Sequence, residues 1–222
     1  MTFVDGRDPG LPGRLLLAER DLFIPLLRER GDEEFALPVD ACPRWTVRDV
    51  LAHCGAALTR VVESRFENGV FTPEGNDRDI AERADWPASR VVDELERGMT
   101  EAGDVIAGAG GALDGVAFGE WVHAGDVRAA FGAPGAYGGA GLPHALALLE
   151  WITRTRDHVP VHADLDDFDE PLRLGAVPGT RPPARFIGDA TALVRLYTGR
   201  AVAAERYELA GAEESELNLY GG

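Results

Sequence analysis

The chain has 222 residues, 45% of them apolar, which is enough for a sizeable core in one large domain or two small ones. Asp and Glu total 38 against 22 basic residues, all of them Arg, so the net charge is −16 and no basic stripe is at hand for nucleic acid or an anionic membrane surface. Cys42 and Cys54 are too few for a disulfide framework, and neither a secretory signal nor a bilayer-length apolar run is found. The expectation is a soluble cytoplasmic protein with small-molecule partners, monomeric or homodimeric. The absence of Lys beside abundant Ala, Gly, Arg and Asp points to a GC-rich genome such as an actinobacterium's.

After a frayed lead-in over residues 1–9, a first helix is expected at about Pro12–Arg30, with Leu15, Leu16, Leu22, Leu26 and Leu27 inward and Gly31 as its stop. Pro38 and Pro43 make Asp32–Arg44 a loop. A second helix runs from Thr46 to about Phe66, with Val47, Val50, Leu51, Cys54, Leu58 and Val61 as its buried stripe and Asn68-Gly69 as its end. The charged segment Thr72–Ala84 reads as a surface loop. A third helix starts near Pro87 and buries Val91, Val92, Leu95 and Met99. A fourth covers Asp114–Phe131 and closes on Gly132 and Pro134.

Four helices with one long inner connection make a bundle, whose sites form between facing helices. Gly135–Gly141 reads as a linker. Beyond it come a helix at about Leu142–Arg156, strands at Val159–Leu165 and Pro171–Val177, and a Pro-rich loop at Pro178–Pro183. A helix at Asp189–Tyr197 stopped by Gly199 and a last strand at Arg206–Leu209 follow. The expected architecture is therefore mainly α: a four-helix bundle over residues 1–141 and a small α/β domain over 142–222.

The second helix carries the most informative stretch. Thr46 and Asp49 have the Thr-x-x-Asp spacing of a helix start, and Trp45 and Val50 that of a hydrophobic staple. His53, three residues beyond Val50, stands at the edge of the buried stripe and needs a partner. On the fourth helix Glu120 and His123 share a face, with Asp126 three residues further. His53, Glu120 and His123 make a workable three-ligand metal site with one open position for water or a thiolate. On spacing alone the plainer reading is favoured, with satisfied core histidines and Asp49 holding the His53 ring. Cys54 fits the core stripe as an inert thiol. Cys42 lies in a loop beside Pro43, with nothing near it in sequence to activate a thiolate.

The stretch Trp45-Thr46-Val47-Arg48-Asp49-Val50-Leu51-Ala52-His53 resembles the opening motif of the mycothiol-dependent maleylpyruvate isomerase family of the DinB-like superfamily. Trp121-Val122-His123-Ala124-Gly125-Asp126-Val127-Arg128-Ala129-Ala130-Phe131-Gly132 resembles that family's metal-helix signature. Asp189-Ala190-Thr191-Ala192-Leu193-Val194-Arg195-Leu196-Tyr197-Thr198-Gly199-Arg200 looks like its C-terminal helix and Gly-Arg ending. The resemblance implies a DinB-like bundle that holds a divalent metal, usually zinc, through His53, His123 and a Glu. The family pattern places that Glu four residues before the second His, where Gly119 stands here; Glu120 follows it on the same helix face, with Asp126 or water as substitutes. Arg200 is either an anion-binding catalytic residue or a cation at a helix C-terminus.

The function this implies is that of a mycothiol-dependent metalloenzyme, with mycothiol as co-substrate. It would be a thiol S-transferase or an isomerase acting on a small electrophile through a metal-bound thiolate. The alternatives are a metal-poor DinB-like binding or regulatory module and a thiol-independent metalloenzyme of secondary metabolism.

Overall fold

The computed structural model describes residues 6–67, 70–156, 158–176 and 181–220. They fall into two compact units, Asp8–His144 and a second that takes in Ala145 onward. The chain is mainly helical, with one small mixed sheet.

The first unit is a bundle of four long helices: α1 (Leu11–Arg28), α3 (Val47–Val62), α5 (Ala88–Gly108) and α6 (Asp114–Ala130). Two short helices, α2 (Asp32–Phe35) and α4 (Pro73–Ala81), lie in the connections that the sequence assigns to loops. In α3 the whole expected stripe is buried, and so are Val91, Val92, Leu95 and Met99 of α5. Where α1 crosses α5, a Cβ on Gly103 would stand 2.8 Å from the Gly13 Cα, so the two backbones touch through glycine.

Several boundaries and faces depart from expectation. Leu22 is 49% exposed, and Phe23 and Ile24 are buried instead. The buried row of α1 advances by fours, through Leu11, Leu15, Glu19, Phe23 and Leu27. Each such step turns about 40° around the helix, and Leu22 falls behind it. Gly31 does not stop α1, which ends at Arg28; it caps α2, with its N–H donating to Glu34 Oε2 at 2.9 Å. α3 ends at Val62, and the expected stop at Asn68-Gly69 lies outside the described residues.

Helix α4 escapes a periodicity reading because ion pairs rather than an apolar stripe hold it. Thr72 caps it by accepting from Gly75 N, and Pro73 opens it. Its Asp79 is buried against Arg60 of α3, which donates from Nε at 3.2 Å. Just beyond α4, Arg83 forms a bidentate pair with Glu94 of α5, at 2.6 and 2.7 Å. Arg48 of α3 donates to the carbonyls of Arg83 and Ala84 and fastens the turn into α5.

The second unit holds α7 from Ala145 on (the helix spans Leu142–Thr155), β1 (Val161–Leu165), β2 (Leu172–Leu174), β3 (Ala184–Gly188), α8 (Ala190–Tyr197), β4 (Tyr207–Ala210) and the short α9 (Glu214–Leu217). The sheet order is β2-β1-β3-β4, with β1 and β3 parallel and both outer pairs antiparallel. Strand β3 is absent from the sequence expectation: five residues directly after Pro182-Pro183 give too short an alternation to separate from a loop. Asp189 caps α8 through Ala192 N at 2.7 Å, and Gly199 follows it at φ 68°, as its role as a stop requires.

Removing one partner of a buried pair strands the other charge. Asp79→Ala should therefore destabilise the protein by about 3 kcal/mol, the low end for a buried pair, because Glu67 Oε1 already lies 2.6 Å from Arg60 Nη1 and still engages the guanidinium. Asp77→Ala, which breaks an exposed pair with Arg44, should change stability by about 0.5 kcal/mol or less. Urea unfolding of both variants checks the contrast, and equal effects would contradict it.

Candidate metal centre

The site is built on the start of α3. Thr46 Oγ1 accepts from Asp49 N at 3.3 Å, and Asp49 Oδ2 accepts from Thr46 N at 2.9 Å, which closes the expected reciprocal cap. That cap engages Asp49 with Thr46. Nδ1 of His53 is buried with no hydrogen-bond partner, so the plainer reading, in which Asp49 holds the ring, fails at that nitrogen.

The chain enters α3 through a folded-back loop. Val47 N donates to Leu37 O at 2.9 Å and Val39 N to Trp45 O at 3.1 Å, while Pro38 and Thr46 form an isolated bridge. This entry lays the Trp45 indole 5.1 Å from the His53 ring and 6.4 Å from that of His123. The two imidazoles lie 5.3 Å apart, edge to face at 88°. The two histidines singled out from the sequence are therefore neighbours across α3 and α6, under one indole.

Helix α6 fixes His123 from behind. Its Nδ1 lies 3.1 Å from Asp126 Oδ2, one turn along the helix, and Tyr137 Oη donates to Asp126 Oδ1 at 2.5 Å. The carboxylate selects the tautomer with the proton on Nδ1 and leaves the Nε2 lone pair for a ligand. Tyr137 is buried flat against Gly125, where a Cβ would stand 2.4 Å from its ring. Gly135–Gly141, expected as a linker, is thus anchored to α6 through this tyrosine.

Glu120 is buried beside Cys54, whose thiol hydrogen-bonds to its carboxylate, while Oε2 has no partner. Burial pushes the Glu120 carboxyl up to about 8, against the smaller pull of that hydrogen bond. Burial, reinforced by the nearby His123, lowers His53 to about 3, so its imidazole is neutral at pH 7. Cys54 is raised by burial first and by Glu120 second, which keeps it an inert thiol. Among the described residues, Cys42, His123 and Asp126 are the group of three whose donor atoms all lie within 4.8 Å of one another. His53, Glu120 and His123 are not drawn together to that distance. Arg200 belongs to the second unit, where its Nη1 donates to Thr198 O at 2.6 Å just past the end of α8.

Buried polar atoms are nearly always satisfied, so the unpartnered nitrogen of His53 and oxygen of Glu120 call for an occupant. The donor types gathered in Cys42, His123 and Asp126, with the His53 imidazole 5.3 Å from that of His123, suit a zinc-like divalent ion. Cys42, Tyr137 and the place of Trp45 beside both rings escape the sequence analysis. Pro43 and Trp45 mark a turn there, but only the fold brings Cys42 to His123.

The two shifted groups have opposite linkage. The unfolded state takes up a proton at His53 between pH 6.5 and about 3, so that contribution to stability is lost as the pH falls. The folded state keeps the Glu120 proton until about pH 8 while the unfolded state releases it near 4.5, so that contribution is lost as the pH rises. Metal-free protein should be most stable at mildly acidic pH. Glu120→Gln should flatten the alkaline limb, by about 1.4 kcal/mol for each pH unit over which the two states differ by a proton. Urea midpoints across pH for both proteins test this, and parallel limbs would refute it.

A model of the mycothiol maleylpyruvate isomerase N-terminal domain matches residues 16–134, more than half of the chain. Among solved structures, a crystal structure of the mycothiol-dependent maleylpyruvate isomerase is similar at a TM-score of 0.54 and 13% identity, covering 96% of this chain and 97% of that one. A mutant of that isomerase is similar at a TM-score of 0.55 and 14% identity, with the same coverage. At such identities these two likenesses show the fold alone. No curated protein matches significantly. Through its N-terminal domain, the chain belongs to the mycothiol maleylpyruvate isomerase family.

Proposed function

We propose that this chain is a mycothiol-dependent metalloenzyme that isomerises, or transfers the thiol to, a small electrophilic substrate. The observation that carries the reading is the pair of adjacent imidazoles, His53 and His123, with a buried unpartnered nitrogen on the first, in a chain of this family. His53 and His123 would hold the ion, and Glu120, with its unpartnered Oε2, is the carboxylate proposed to complete the set. A divalent ion there supplies Lewis acidity that keeps a bound thiol as thiolate at neutral pH.

The protein's own residues do the rest. His53 is neutral across the physiological range and offers a lone pair without losing a proton. Asp126, itself held by Tyr137, keeps the His123 ring from turning. Trp45 lays its indole beside both rings, 5.1 Å from that of His53 and 6.4 Å from that of His123. A thiolate adding to one carbon of an electron-poor substrate double bond would form a C–S bond while the π pair moves onto the substrate's electron-withdrawing group, leaving a single bond free to rotate. After rotation the pair returns, re-forms the double bond and expels the thiolate, which gives isomerisation; protonation of the carbanion from water instead retains the C–S bond and gives transfer.

Metal analysis of untagged protein should find about one divalent ion per chain, lost in His53→Ala. Absence of metal from zinc-supplemented wild type would sink the reading. Turnover of an electrophilic substrate that needs no thiol would leave a metalloenzyme of another kind. Asp126→Asn should weaken zinc binding about 10- to 100-fold while the fold persists. Competition with a chromophoric chelator measures that loss, and unchanged affinity would remove Asp126 from its supporting role.

A further inference from the structure

Cys42 has no part in the chemistry described so far, yet its sulfur lies among the donor atoms of His123 and Asp126, all within 4.8 Å of one another. Its place is set by backbone. Cys42 N donates to Val39 O and Trp45 N donates to Cys42 O, both at 2.8 Å, inside a loop closed by Val39 N to Trp45 O at 3.1 Å. The same loop carries Trp45 onto the two imidazoles, so one backbone device delivers both the indole and the thiol.

The three members of this cluster do not have equal claims on a cation. Asp126 already accepts from Tyr137 at Oδ1 and lies against His123 Nδ1 at Oδ2, so it acts through the histidine. That leaves the half-buried Cys42 sulfur and the His123 ring to face an ion, and the His53 ring, with its unpartnered Nδ1, lies 5.3 Å from that of His123. Cys54 offers no alternative, because it is buried against Glu120.

We propose that Cys42 is itself a metal ligand in the resting protein, binding as thiolate the ion that His53 and His123 hold. The inference rests on the metal-holding reading of the two histidines. Sulfur in the donor set favours zinc, cobalt and cadmium over magnesium or calcium. It also means that a co-substrate thiol enters by exchange: the incoming thiol gives up its proton, Cys42 takes one, and one thiolate replaces the other without net change in charge. The site is capped by its own chain until a thiol displaces the cap.

Cobalt substitution reads this directly, since thiolate coordination adds a near-ultraviolet charge-transfer band to the visible ligand-field bands. Full-length wild type and Cys54→Ala loaded with cobalt should show the band, and Cys42→Ser should bind cobalt without it. A cobalt protein with ligand-field bands and no charge-transfer band overturns the proposal while leaving the histidine site standing. A band that survives in Cys42→Ser overturns it too. Failure of wild type to bind cobalt removes the metal reading and this inference together. Should Cys42→Ser not fold, alkylation of native wild type by iodoacetamide decides: zinc should protect Cys42, and equal labelling with and without zinc refutes its ligation.

Discussion

A buried carboxylate sets the terms for the centre. Asp126 lies in the core of the bundle, and a polar group there is tolerable only when its oxygens are engaged. Tyr137 engages one and His123 the other. The phenol reaches it because residue 125 is glycine. One requirement, that a buried carboxyl be hydrogen-bonded, thereby fixes a histidine rotamer and tautomer, pins the segment after α6, and dictates a residue with no side chain.

The same logic recurs through the bundle, where charged residues do structural work that apolar stripes do elsewhere. Arg60 with Asp79 and Arg83 with Glu94 bind α4 and its exit turn to α3 and α5. Arg128 of α6 pairs with the buried Glu19 of α1 and donates to Ala136 O, the residue before Tyr137. Burial raises the Glu19 carboxyl, and Arg128 offsets part of that penalty. Such pairs add little net stability against well-packed apolar residues, but they punish loss of one partner heavily and so specify which helix meets which.

What could be read in advance follows from the same division. Helices α3, α5 and α6 were legible because apolar periodicity, a Thr-x-x-Asp start and a closing Gly132 all agree on them. His53 and His123 were legible as a pair because each sits in a distinctive local motif. Helix α4 was not, since its inward residues, Asp79 and the neighbouring Arg83, look like surface until their partners 19 and 11 positions away are known. Strand β3 was hidden by its length and by the prolines before it. Cys42 and Tyr137 were hidden for a third reason: a half-exposed loop thiol and a tyrosine among glycines acquire meaning only through contacts with α6. Glu120 remains the residue on which motif and geometry pull apart, placed on the right helix but turned to Cys54.

The loop that precedes α3 keeps its shape through main-chain hydrogen bonds, while Asp40, Ala41, Pro43 and Arg44 point their side chains at solvent. Shape and surface are therefore independent variables there. Substitutions at Asp40, Ala41 and Arg44 can rewrite the charge and bulk around the sulfur without moving it, whereas the opposite wall, on α6, tolerates nothing larger than hydrogen at Gly125. Change in this protein has one direction open to it: the entrance can diversify while the histidine face stays as it is.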